Sequence, residues 1–439
     1  MKIGIVGTGI SGLVCAHLLH PHHDITVFEA DTRIGGHTNT VRIELPSSAP
    51  GHDVETHDVD TGFIVYNERN YPNFVALLGQ LGVATQPGEM SFSVSDPRIG
   101  LEYRGTNLDT LYAQRSNLAK PWFTRMLVDI VRFNRAARRL LEPGSSGSSG
   151  SSGSGDELDL SLDELLRRGH YSDAFIERFL VPLGASIWSA DPDTFTRFPA
   201  VAYARFMDNH GLLRLSGMPQ WRTISGGSHR YVEAMTAPFA DRIRTSSPVR
   251  KIVRRHQGED GIEVELMSPT HGLETFDRVI VAGHSDQALR LLSDASPAEH
   301  EILGAIGYQP NVATLHTDER FLPRTRRARA SWNYHLGVAG EERRATLTYW
   351  MNALQSLESE HEILVTLNRH DEIDPDRVLA HFDYDHPVFD AAAMAAQARR
   401  HEIQGVNGTF FAGAYWGYGF HEDGVRSALD VCRHFGVTL

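Results

Sequence analysis

An α/β fold is what this sequence predicts, on three observations. Residues 3–7 (Ile-Gly-Ile-Val-Gly) read as a short buried strand, residues 11–20 as a helix with Leu13, Ala16 and Leu19 inward, and residues 25–29 as a second strand. Between the first strand and the helix lies Gly7-Thr8-Gly9-Ile10-Ser11-Gly12, a G-x-G-x-x-G. The chain has 439 residues, more than one compact core holds, so a second domain accompanies this Rossmann-like βαβ opening.

Each element has a physical reason. The first glycine makes the tight turn, the second admits a pyrophosphate to the backbone, and the third lets helix and strand pack closely. The helix N-terminus offers unpaired N–H groups to phosphate. Glu29 ends the second strand, where an acid binds ribose hydroxyls. Residues 107–142 turn helical and basic, and GSSGSSGSSGSG at 144–155 is a tether without apolar side chains to bury, similar to an engineered linker. Helices resume at 161–181, 249–266 alternates like a β pair, and 277–283 is another buried strand. Residues 309–370 mix strands with Arg-rich loops. The chain ends in a strand at 409–413, a glycine-rich turn and a helix from about residue 423.

Composition excludes several classes. The formal net charge of −13 argues against nucleic acid, which needs clustered cation. No stretch reaches the length of a membrane-spanning helix. The opening apolar run falls on the nucleotide pattern and is read as mature structure rather than a signal peptide. Cys15 and Cys432 form no C-x-x-C, so neither a disulfide framework nor a metal site is expected, and a cytoplasmic location follows.

Several segments carry a resemblance. Glu29-Ala30-Asp31-Thr32-Arg33-Ile34-Gly35-Gly36-His37-Thr38 resembles the E-a-x-x-R-x-G-G-R stretch of the flavin-containing amine oxidase and phytoene desaturase superfamily, with His37 in place of the usual arginine. Asp60-Thr61-Gly62-Phe63, Ser225-Gly226-Gly227-Ser228 before Tyr231-Val232, and Val249 resemble later blocks of that superfamily, as does the closing Gly413–Val425. VDTGFIVYNERNYPNF and GAYWGYGFHEDGVRSAL are similar to a branch found beside cyclopropane-fatty-acid-synthase-like methyltransferases. The resemblance implies non-covalent FAD in a domain built from 1–106, 215–290 and 395–439. It also implies a discontinuous α+β substrate domain built from a helical cap at 107–214 and a sheet at 291–394. It assigns to the cofactor Gly7, Gly9, Ile10, Ser11, Gly12, Glu29, Ala30, Gly35, Gly36, His37, Thr38, Gly62, Phe63, Val249, Gly413, Glu422, Asp423, Gly424 and Val425. The last helix then sets its N-terminus against the flavin pyrimidine.

Absences narrow the reaction. Lysine occurs only at Lys2, Lys120 and Lys251, and none lies in Tyr308–Leu315, the strand where the resemblance places the amine oxidases' lysine. Oxidation or desaturation of a fatty-acyl or similar lipid is therefore expected; the alternatives are a double-bond isomerase, an amine oxidase, or a non-catalytic FAD-bound partner of a lipid methyltransferase. Tyr415, Trp416, Tyr418 and Phe420 either line an apolar substrate slot or pack around the turn. His421 with Glu422 is either an acid–base pair or a helix cap, and Tyr66 and Glu68 are further catalytic candidates. Residues 113–142 carry Arg115, Lys120, Arg125, Arg132, Arg135, Arg138 and Arg139 against Asp129 and Glu142, interleaved with apolar residues at helical spacing. Such a helix lies on an anionic membrane face or turns its apolar side to its own domain.

Overall fold

The computed structural model describes residues 1–48, 53–142, 160–188, 195–213, 219–257, 261–337 and 345–439. The Ser/Gly tether at 144–155 lies outside them.

The βαβ opening forms as its pattern requires. Lys2–Val6 pairs in parallel with Asp24–Phe28 on one side and Arg278–Val281 on the other. Ile243–Arg244 and Thr409–Phe411 complete a five-stranded parallel sheet. In chain order its strands run 3-2-1-4-5, the doubly wound arrangement whose ligands sit beyond the strands' carboxyl ends. Both faces are covered, which is why its strands are continuous apolar runs. One face carries the helices Ile10–Leu19, Pro72–Leu81, His229–Thr236 and His421–Arg433. Helix Ile10–Leu19 is buried almost all round, as its uniformly apolar sequence demands. The other face carries the antiparallel meander Lys251–Gln257, Gly261–Ser268, Gly272–Phe276, with helices Ser285–Leu291, Pro297–Gly304 and Ala391–Ala398 beside it.

The second domain is a mixed seven-stranded sheet in the order Val378–Val388, Gly307–His316, Leu364–Leu367, Leu347–Trp350, Trp332–His335, Phe92–Asp96, Leu101–Arg104. Its core is shared with helix Pro121–Arg139 and helices between 162 and 209. Two of the expected boundaries shift. Phe92–Asp96 pairs in parallel with Trp332–His335, so 92–104 belongs to this sheet and not to the nucleotide-binding part. The helices at 285–304 back the parallel sheet, so the chain crosses over at Gly307 rather than at 291. The hairpin Thr40–Pro46/Val54–Asp60 leads from one domain to the other.

The basic helix resolves one of the alternatives on its inner side. Phe123, Met126, Phe133 and Ala137 are buried in the domain's own core. Asp129, fully buried, binds Arg125 at 3.0 Å and Arg132 at 2.5 Å and accepts the Ser172 N–H. Among the described residues no helix is long and apolar enough to cross a membrane.

Candidate active site

The glycine turn leaves no room for a side chain at its first and third glycines. Gly7 has φ +102°, and a Cβ there would lie 2.9 Å from the Ala282 carbonyl oxygen; one on Gly12 would lie 2.0 Å from the Gly7 oxygen. Beside Gly9 nothing lies within 4 Å of a Cβ position. Gly9 is also the N-cap of helix Ile10–Leu19, without a side-chain capping bond. A backbone open at Gly9 and an uncapped helix N-terminus are what a diphosphate requires, and the site fits FAD in that respect.

Glu29 stands at the edge of this turn. One carboxylate oxygen accepts the Thr8 N–H at 2.9 Å and the Thr8 hydroxyl, and the other accepts the Asp31 N–H at 2.9 Å. It is thereby fixed just past the end of strand Asp24–Phe28, with Ala30 exposed next to it. The Gly35-Gly36 turn packs onto the same loop. The Gly35 N–H donates to the Thr8 carbonyl at 3.1 Å, and a Cβ on Gly36 would lie 3.0 Å from the Gly9 Cα. The His37 carbonyl accepts the Phe63 N–H at 2.8 Å, and Gly62 is pressed against that carbonyl. Val249 is buried between the parallel sheet and the meander.

The last helix converges on the same place. It starts at His421, two residues before the expected start, and runs to Arg433. The Ser11 hydroxyl donates to the Gly424 carbonyl at 3.0 Å, and Gly424 passes so close to Ile10 that a Cβ would lie 2.7 Å from it. Two helix N-termini therefore sit side by side, Ile10–Ser11 against Gly424, with Val425 buried beneath. Both dipoles favour negative charge at that point. Gly413 is anchored by its N–H to the Ser427 hydroxyl at 3.0 Å. Cys15 and Cys432 are both buried among these helices, so neither thiol is placed to bond a flavin.

Several candidates have other roles. Glu422 does not meet His421. Its carboxylate accepts the Asn73 N–H at 3.1 Å, the Asn73 amide at 2.5 Å and the Phe74 N–H at 3.0 Å, capping helix Pro72–Leu81. Burial raises its pKa. Asp423 accepts the N–H groups of Tyr418 (2.9 Å) and Phe420 (3.1 Å) and pairs with Arg426, so it holds the glycine turn. His421 stacks on Phe63, centroids 3.6 Å apart, and its Nε2 lies 2.8 Å from the Tyr231 hydroxyl, which bonds Thr38. Burial pushes its pKa down to about 3, so the ring is neutral and is no general acid at neutral pH. Tyr415 and Trp416 pack behind the parallel sheet, where the Trp416 indole N–H donates to the Phe411 carbonyl at 3.0 Å. They are not walls of a slot shared with Tyr418 and Phe420, which face the other domain's core. Tyr66 is buried against Tyr71 and Phe74, and Glu68 is on the surface, 3.7 Å from Arg222.

Beyond the predicted site residues stand Asp60, which the sequence placed only within a family-like block, and Tyr384, His284 and His386, which it did not single out. Buried Asp60 accepts the Thr40 hydroxyl (2.5 Å), the Ser228 N–H (2.8 Å) and hydroxyl (2.7 Å) and the Gln355 amide (3.1 Å), and burial raises its pKa to about 6. Tyr384 bonds Asn39 (3.0 Å) and Thr61 (2.9 Å) and lies over His37. His284 and His386 stand near His37. Of the last three only His284 carried a signal, its place just past the carboxyl end of a parallel strand.

Residues 10–434 match the family model for flavin-containing amine oxidoreductases. No curated protein matches the sequence. The fold is similar to that of a fatty acid isomerase from P. acnes that produces CLA (16% identity, 99% of this chain and 98% of that one, TM-score 0.67). It is also similar to a putrescine oxidase (15%, 99% of both chains, 0.66) and to cyclohexylamine oxidase from Brevibacterium oxydans (16%, 99% of both chains, 0.64). With its glycine turn, Glu29 and paired helix N-termini, the chain belongs to the flavin-containing amine oxidoreductase family and is an FAD-dependent oxidoreductase.

Proposed function

We propose that the protein oxidises or desaturates a C–H bond of a fatty-acyl or related lipid chain. When bound, FAD supplies the hydride acceptor at N5. The residues of the chain hold the lipid over it and exclude water.

The observation that carries this reading is an aromatic wall beside the closing turn. Phe206 lies 5.1 Å from Phe420, 4.5 Å from Trp188, 5.9 Å from Tyr418 and 3.9 Å from His210, centroid to centroid. The wall carries no formal charge, because burial pushes His210 down to about 4. Each methylene buried against such a surface contributes about 0.8 kcal/mol, so an acyl chain is held by many small terms. The strand Gly307–His316 contains no lysine, which weighs against an ordinary amine oxidase. The likeness to a fatty acid isomerase is in keeping with a lipid chain and favours a second reading, in which the hydride returns to the substrate and a double bond moves.

Anaerobic mixing of the holoprotein with saturated and unsaturated fatty acids, and separately with primary amines and polyamines, tests the reading through flavin absorbance. Bleaching by acyl lipids alone is expected. Net electron release to an added acceptor supports oxidation, and an isomeric product without net electrons supports isomerisation. Rapid bleaching by a simple amine with no response to any acyl lipid overturns the lipid reading.

The outer surface near the basic helix supports delivery from an anionic lipid surface. Leu108, Leu118 and Val128 are 72%, 62% and 48% exposed, in a segment that also carries exposed Arg115, Arg125 and Arg135. Co-sedimentation with phosphatidylglycerol but not phosphatidylcholine vesicles is expected, and equal recovery with both excludes it.

A further inference from the structure

Three imidazoles converge beside the glycine turn from three separate elements. His37 follows Gly36, which abuts Gly9. His284 follows Ala282-Gly283, the backbone that Gly7 packs against. His386 comes from strand Val378–Val388 of the other domain. The His37 ring lies 5.5 Å from His386 and 6.1 Å from His284, while Tyr384 covers His37 at 5.0 Å and Tyr308 stacks on His284 at 4.4 Å. Among the described residues, no His, Cys, Asp and Glu group has the geometry to hold a metal.

Hydrogen bonds decide which nitrogens are free. The Asn311 carbonyl oxygen accepts from the Asn368 amide at 2.8 Å, so its own amide donates to the Gln309 carbonyl (3.2 Å) and to His386 Nδ1 (3.0 Å). Nδ1 is thus the acceptor, and the neutral ring carries its proton on Nε2. His37 Nε2 is buried without a hydrogen-bond partner. A buried nitrogen left so is destabilised, and an arriving ligand with which it can hydrogen-bond relieves that. Burial first, and the neighbouring imidazoles after it, hold His37 and His386 below the ordinary histidine range; burial does the same to His284. The other groups facing the cluster are Arg33 and the neutral His421 at His37, and Asp286, Asp385 and Arg290 at His284. The two carboxylates favour a proton there, and an anion would favour it more.

We infer that His37, His284 and His386 form an oxyanion site that receives either the diphosphate of FAD or the carboxylate of an acyl substrate. On binding, the cluster takes up a proton from solvent, so the anion is met by an imidazolium. The inference rests on the FAD and lipid readings for its two possible ligands.

Calorimetric titration in two buffers of different ionisation enthalpy separates the sources. Apoprotein is titrated with FAD and with riboflavin, and holoprotein with dodecanoate and with dodecanol. Proton uptake with FAD but not riboflavin assigns the site to the cofactor; uptake with dodecanoate but not dodecanol assigns it to the substrate. His386→Phe is expected to abolish that uptake and weaken the responsive ligand roughly tenfold or more, the scale of a lost charged hydrogen bond. His284→Gln gives the same test if the first variant does not fold. Binding of FAD and dodecanoate without proton uptake, unchanged in both variants, overturns the inference. Failure of FAD to bind while another nucleotide does would instead overturn the cofactor assignment.

Discussion

The parallel sheet and the seven-stranded sheet do their work with different parts of the chain. Around the parallel sheet the turn that fits FAD is built largely of backbone. Gly7, Gly12, Gly36 and Gly424 matter because a Cβ at each would collide with main chain or with the next helix. Around the seven-stranded sheet the core is made of side chains, such as Phe206, Trp188 and Phe420, on elements far apart in sequence. A backbone site demands glycines at fixed spacing; a side-chain wall demands only apolar bulk. The first tolerates little change, and the second can be remodelled for new substrates while the cofactor stays.

The comparison breaks most visibly at Trp416. Placed behind the parallel sheet, Trp416→Ala should destabilise the fold by about 3–5 kcal/mol in denaturant titration, with little effect on acyl-lipid affinity. Phe420→Ala should do the reverse, and equal effects from both would erase the distinction. Next comes the link between domains. Burial raises Asp60 to about 6 from 3.8, so the folded state holds its proton more tightly than the unfolded chain does. The part of the stability that depends on Asp60 should therefore be greatest below about pH 4, fall by roughly 3 kcal/mol as pH rises to about 6, and level off above. The difference between wild type and Asp60→Asn should follow that slope; profiles that run parallel from about pH 4 to about pH 6 contradict the burial argument. Glu29→Ala should weaken FAD by about 1.5–3 kcal/mol in equilibrium titration of the apoprotein and leave lipid contacts alone. The smallest effect belongs to surface Glu68, where Glu68→Gln should change stability and turnover by no more than about 0.5 kcal/mol.

The cofactor half was legible because its rules are local. The glycine spacing, Glu29 and the closing helix read directly from short windows, and each fell into place around one turn. The strand Phe92–Asp96 was misassigned because its pattern does not name Trp332–His335 as its partner. His421 and Glu422 could not pair, since consecutive helical residues point about 100° apart. The run Tyr415-Trp416-Gly417-Tyr418 divides for a similar reason. The short helical turn Ala414–Trp416 sends its first aromatics to one side of the sheet, and Gly417 reverses the chain before the rest. His386 gave no signal at all, because it reaches the glycine turn only through the register of Val378–Val388 on Gly307–His316.

Backbone from both ends of the chain comes together in one place that fits FAD. That fit is tested most directly by denaturing purified protein with acid and identifying what leaves it. The account predicts a yellow protein that releases intact FAD, one per chain, into the supernatant. FMN or NAD in that supernatant, or flavin that remains on the precipitate, would contradict it.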